Sequence, residues 1–135
     1  MLLITGEELA SGQSTLARAM VIELSKDDIN LKKLTAIQEK SKLLPHAMCS
    51  YISWVRENME IIGSEFEKAF INLRHEAHTE SIHARLPEQC ASLQFTLHTA
   101  LHWMLDKGIL TEENAGEIDK EAWNALMAIY GERRP

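Results

Sequence analysis

Hydrophobic residues recur every three or four positions along most of the chain after residue 24. This spacing places them on one face of an α-helix. Helix-starting residues such as Pro45, Ser64, Pro87 and Thr111 divide the pattern, and the pair Lys107 and Gly108 is typical of a helix end. The sequence therefore predicts a mainly α fold, a bundle of about five helices joined by short connections.

The predicted helices differ in how they begin and in which residues they bury. The first is expected over residues 27–40, with Ser25, Asp27 and Asp28 near its start. The second is expected to continue to residue 62 and to end at Gly63 and Ser64. Its apolar stripe is predicted to face the core and comprises Met48, Tyr51, Ile52, Val55, Met59 and Ile62.

The first 24 residues carry a different pattern. Residues 2–7 and 19–24 are two short apolar runs, and the polar residues 8–18 lie between them. Runs of this length and composition favour two β segments. Since two strands alone do not form a stable sheet in water, we expect them to form a hairpin, to pack on the helices or to pair with a second chain. The predicted organisation is thus residues 1–24, with the β segments, and residues 25–135, the helical domain.

Charge and aromatic residues bear on nucleic-acid binding. The chain has 14 Lys and Arg against 20 Asp and Glu, a net charge of −6, so DNA contact would require a local patch. The three tryptophans could stack on bases, but they lie at the borders of the helical stripes, which favours core or subunit packing. The tryptophans and the basic residues considered for DNA contact are Trp54, Trp103, Trp123, Arg74, Arg85, Lys107, Arg133 and Arg134.

The two cysteines indicate the compartment. Cys49 and Cys90 lie singly within apolar helical patterns, so we expect buried free thiols rather than a disulfide or a metal site. Free thiols are typical of a reducing environment, which predicts a cytoplasmic protein. No apolar run has membrane-spanning length, and no membrane partner is expected.

Histidines raise the question of a metal site. His98 and His102 lie one helical turn apart, and such a pair can chelate a divalent cation. No cysteine joins them at the spacing of a zinc finger, so partly exposed histidines at helix ends are the favoured interpretation and metal binding is not predicted. The histidines that would ligate a metal in the alternative are His75, His78, His83, His98 and His102.

Catalytic motifs are missing from the sequence. It contains no phosphate-binding GxxxxGK[ST] loop, no serine nucleophile elbow, no HExxH and no CxxC. We therefore do not expect the isolated chain to be an enzyme, and we expect it to hold no cofactor.

A family resemblance connects the opening segment with nucleotide hydrolysis. Residues 2–7, 12–18 and 20–24 resemble the last two core strands of the helicase- and primase-associated ATPases of phages and mobile elements, which are similar to superfamily-three helicases. The helical remainder also resembles the region that follows the ATPase core in these proteins, through residues 48–54, 83–85 and 121–126. The phosphate-binding loop and the acidic magnesium-binding strand of the family are absent.

This resemblance implies roles for three residues. Thr5 and Glu7 correspond to the polar sensor side of the first strand, near the γ-phosphate. Arg18 corresponds to an arginine finger, which reaches the nucleotide of a neighbouring subunit and stabilises the charge of the transferring phosphoryl group. ATP and Mg²⁺ would belong to the larger parent ATPase.

Two functions follow as expectations. The first is a non-catalytic helical C-terminal portion of a mobile-element helicase- or primase-type ATPase, which supports contacts with other subunits or with DNA. The second is a stand-alone helical interaction module that forms homodimers by burying Met, Trp and Leu side chains between subunits.

Overall fold

The computed structural model describes residue 22, residues 24–78 and residues 86–131. Within these residues the prediction of a mainly α fold with five helices is confirmed. The predicted β segments lie outside the described residues except for Ile22 and Leu24, which are exposed. The five α-helices are α1 (Leu31–Glu39), α2 (Leu44–Glu57), α3 (Met59–Ala77), α4 (Leu86–Asp106) and α5 (Glu112–Gly131), and short 3-10 helices span Lys26–Asp28 and Ser41–Leu43.

The first helix begins later than predicted, because two capping groups divide the segment. The Ser25 hydroxyl and backbone N–H both donate to Asp28 Oδ2 at 2.8 Å, and these bonds lower the pKa of that carboxyl. They close the Lys26–Asp28 turn. Asn30 then accepts a hydrogen bond from the Lys33 N–H at 3.0 Å and is the N-cap of α1.

The boundary between α2 and α3 lies at Asn58, so the predicted break at Gly63 and Ser64 is wrong. The Asn58 side chain donates to the Trp54 carbonyl at 2.9 Å, and its backbone N–H donates to the carbonyls of Trp54 and Val55. These bonds satisfy the last carbonyls of α2. Ser64 lies inside α3, where its hydroxyl donates to the Ile61 carbonyl at 2.8 Å.

The turn between α4 and α5 confirms its prediction. Gly108 has a φ of 65°, in the left-handed region that only glycine adopts without strain. Thr111 accepts a hydrogen bond from the Asn114 N–H at 3.3 Å and caps α5. The chain reverses here and packs α5 on α4.

Helix α4 is the centre of the packing, because α2, α3 and α5 all contact it. Ala77, Leu86 and Cys90 are buried together. The α5 side chains packed against them are Trp123, Leu126 and Met127. No helix in the described part of the chain is long and apolar enough to cross a membrane.

Aromatic ring pairs contribute to the contacts of α4 with α3 and with α2. Phe66 of α3 meets Phe95 of α4 edge to face, with ring centroids 4.9 Å apart. Tyr51 of α2 meets Trp103 of α4 in the same way at 5.5 Å, and the Trp54 indole N–H donates to Asp106 at 2.9 Å. Such ring pairs add about 0.5–1.5 kcal/mol each to the area they bury.

The two thiols provide a test of this packing. Cys90 is fully buried, and burial raises the pKa of its thiol. Cys49 is exposed, so the prediction of a buried thiol is wrong at that position. Because the thiolate is the reactive form, we expect iodoacetamide to modify Cys49 rapidly and Cys90 only slowly, until the protein unfolds. Mass spectrometry over time measures both rates, with Cys49→Ser as the control that retains only the slow site. Equal rates in the folded protein would contradict the packing.

Candidate functional site

The residues implicated by the family resemblance cannot be placed in the site. Thr5, Glu7 and Arg18 all lie outside the described residues. Their roles as sensor residues and arginine finger therefore stay predictions.

The histidines are dispersed rather than clustered. His75 and His78 are exposed at the end of α3, His102 is exposed on α4, and His83 lies outside the described residues. His98 is half-buried and faces α5. Among the residues that the structure describes, no three His, Cys, Asp or Glu side chains are close enough together to hold a metal ion.

One polar cluster does form, where α4 meets α5. Gln94 is buried, with only 1% of its surface exposed. Its side-chain amide nitrogen donates to Asp119 twice, to Oδ1 at 2.7 Å and to the backbone carbonyl at 3.1 Å. His98 Nε2 lies 2.6 Å from the same Oδ1. Asp119 thus binds two side chains of α4.

The proton positions follow from these distances. A carboxylate oxygen only accepts hydrogen bonds, so His98 Nε2 carries the proton that it donates to Asp119. That nitrogen then cannot accept from Gln94, whose amide nitrogen is 3.4 Å away. The Gln94 amide nitrogen already has two acceptors in Asp119. The cluster therefore consists of two donor side chains, Gln94 and His98, that share the carboxylate of Asp119 as their acceptor.

The cluster also contains an unpaired group. Gln94 Oε1 is buried and has no hydrogen-bond partner among the described residues. An unpaired buried oxygen costs about 1–3 kcal/mol, so the three bonds to Asp119 must offset that cost. The arrangement fixes the register of α4 against α5, because an apolar helix face alone would permit sliding.

Sequence reasoning missed Gln94 and Asp119, although a signal was present. Gln94 lies four residues before His98 and between Cys90 and Leu101, two buried positions of the α4 stripe. A polar residue at such a position requires a partner. The sequence alone does not identify which residue of α5 supplies it.

The second candidate feature is an exposed apolar surface. Every residue from 24 to 50 is exposed. Seven large apolar side chains of α1, of the 3-10 turn Ser41–Leu43 and of α2 have 40% to 70% of their surface open to solvent. We call these residues the α1–α2 surface: Leu31, Leu34, Ile37, Leu43, Leu44, Met48 and Ile52.

This surface corrects the predicted core stripe of α2. Leu44 and Met48 lie on the same face of the helix as Tyr51 and Val55, since successive residues are about 100° apart. Tyr51 and Val55 are half-buried, whereas Leu44 and Met48 are 55% and 56% exposed. The described helices therefore cover only the second half of the stripe. Ile52 and Met59, also predicted to face the core, are 58% and 57% exposed.

Comparison of the chain with protein-family models, with curated proteins and with solved structures gives no match.

Replacing Asp119 tests the polar cluster. Asp119→Ala removes the acceptor of His98 and of one Gln94 N–H, and leaves a buried amide hydrogen unpaired. We expect the free energy of unfolding to fall by about 2 kcal/mol, as measured by urea denaturation. Asp119→Asn retains the Oδ1 acceptor and should cost less. Asn124→Ala, an exposed position five residues along α5, is the surface control, and an equal loss in that variant would contradict the assignment.

Proposed function

We propose that this chain is a non-catalytic helical interaction module that self-associates through the α1–α2 surface. The observation that carries the proposal is the uninterrupted exposure of residues 24–50, in a segment whose apolar spacing is that of a packed helix pair. Seven large apolar side chains exposed to this degree present together on the order of several hundred Å² of apolar surface, the amount that marks an interaction site where such side chains adjoin.

The length of α1 supports the same conclusion. It has nine residues, and helices shorter than about 12–15 residues are marginal in water without tertiary packing. Within the described residues, its only extensive contact is with the neighbouring 3-10 turn, Ser41–Leu43. A partner surface would supply the packing that α1 lacks.

Polar substitution within the surface tests the proposal. Leu34 and Met48 are 40% and 56% exposed, so Leu34→Gln with Met48→Gln should change the unfolding free energy by no more than about 0.5 kcal/mol per site. Self-association should weaken strongly, because these side chains would be buried between copies. Size-exclusion chromatography with multi-angle light scattering, over a range of protein concentrations, measures the change.

A matched control is available on α3. Ile71 and Ile61 are 44% and 59% exposed, nearly the same as Leu34 and Met48, but lie outside the α1–α2 surface. The variant Ile71→Gln with Ile61→Gln should associate like the wild type. A wild-type chain that stays monomeric at every concentration would refute the proposal.

A second function is favoured by the family resemblance, in which the module is the helical C-terminal portion of a mobile-element helicase- or primase-type ATPase. Its support is positional: residues 1–24, which resemble the end of an ATPase core, lead directly into the segment 24–50 that is exposed throughout. The surface would then meet the core or a neighbouring subunit, and DNA is a further partner. ATP and Mg²⁺ would be bound by the core.

Two observations test this second function. A GxxxxGK[ST] segment encoded in frame upstream of the Met1 codon would support it, and a complete unrelated gene in that position would contradict it. In the complete ATPase, Arg18→Ala should lower the rate of ATP hydrolysis about a thousandfold, because the finger stabilises transition-state charge. Arg18→Lys should not restore the rate, since a lysine lacks the planar fork. An unchanged rate in Arg18→Ala would reject the finger.

A further inference from the structure

We infer that the α1–α2 surface of one copy docks on the acidic outer face of α5 in a second copy. This inference rests on the proposed self-association and names the surface that receives α1. It is carried by two exposed faces of opposite charge. One is the apolar stripe of α1 with its basic edge, and the other is the row of glutamates on α5 that borders the partly exposed Ile118.

The donor face lies on α1. Leu31, Leu34 and Ile37 form a stripe about 120° wide, and they are 70%, 40% and 56% exposed. Lys33 and Lys40 border the stripe on the side of Ile37, four residues before it and three after it. Neither lysine has an ion pair with a described residue. The face is therefore an apolar stripe with an unneutralised basic edge.

The receiving face lies on α5. Ile118 is 39% exposed at the edge of the packed side of α5, about 60° around the helix from the buried Ala115. Glu113, Glu117 and Glu121 follow one another at four-residue spacing on the outer side of α5, where Glu121 lies next to Ile118. All three are exposed, and the exposed Lys120 is the one cation among them. Within the described residues none of these carboxylates has an ion pair. Like charges at this spacing destabilise a helix by a few tenths of a kcal/mol per pair, and lysines from a partner would relieve that repulsion.

Charge decides between the ways in which two copies can meet. A chain with a net charge of −6 repels its copies, and contact between opposite patches is what overcomes this repulsion and sets the register. Pairing α1 with α1 would bring Lys33 and Lys40 of the two copies together. Pairing α1 with α5 places them against Glu117 and Glu121. Two such contacts close a two-fold dimer, and one contact per neighbour builds a ring.

A nucleic acid fits the donor face less well. The lysines could contact phosphates, but the stripe of Leu31, Leu34 and Ile37 would lie against a charged backbone that does not bury apolar surface. A helix face with both apolar and acidic groups can contact the apolar stripe of α1 and its lysines at the same time.

Charge reversal tests the pairing. Lys33→Glu with Lys40→Glu should raise the dissociation constant of self-association about tenfold or more. Glu117→Lys with Glu121→Lys should do the same, although it alters a different helix. An equimolar mixture of the two variants should associate again, because the reversed α1 of one meets the reversed α5 of the other. Sedimentation velocity in low salt measures all three, and added salt should weaken the wild-type contact.

The controls are charge reversals outside both faces. Lys68→Glu with Lys107→Glu matches the lysine variant, and Glu65→Lys with Glu76→Lys matches the glutamate variant. All four residues are exposed. These controls should self-associate like the wild type, and circular dichroism should show the same helix content in every variant.

The outcomes separate the inference from the proposed function. If the wild type associates and the Glu117/Glu121 variant associates equally well, the α5 face is wrong although the module still self-associates. Failure of the mixture to recover also overturns the pairing. A wild-type chain that is monomeric, or that binds a DNA duplex in fluorescence anisotropy without self-associating, overturns both the pairing and the proposed function.

Discussion

The bundle depends on the contacts that α4 makes with three other helices. Its N-terminal half packs Leu86 and Cys90 against Ala77 of α3 and against α5, and its C-terminal half meets α2 through Trp103 and Asp106. Apolar contact holds these helices together but permits small slides along their axes. The bonds from Gln94 and His98 to Asp119 define the axial position of α5 relative to α4. A buried polar residue that can be satisfied in only one register makes the α4–α5 pair specific.

The described segment that α4 does not cover is exposed to solvent. From residue 24 to residue 50 the chain is largely helical, yet every residue is exposed within the described structure. Conformational entropy opposes the ordering of such a segment, and a nine-residue helix gains little from its own hydrogen bonds. The cap at Asn30 contributes, yet a cap is worth only about 1 kcal/mol. The physical need for a covering surface is what links the fold to an interaction function.

Sequence reasoning worked best where the signal is local. The turn at Gly108 and the cap at Thr111 were predictable because a left-handed glycine and a threonine hydroxyl act within a few residues. It failed where two local signals compete. Gly63 and Ser64 are typical of a helix break, yet α3 continues through them. Helix α2 ends earlier, at Asn58, because the side-chain amide and the backbone N–H of Asn58 both donate to the Trp54 carbonyl. The exposed Cys49 and the buried Cys90 lie in similar apolar patterns, so the sequence did not distinguish them.

The sequence by itself determined that the chain is helical, where most helices begin and end, and which face of each is apolar, since these depend on spacing and on short-range hydrogen bonds. Only the tertiary structure decided which apolar faces are covered. Met48 and Val55 belong to one apolar stripe of α2, but α4 packs beside Val55 and leaves Met48 exposed. The partner of Gln94 is likewise 25 residues away along the chain, and contacts between residues so far apart depend on how whole helices pack rather than on any local pattern.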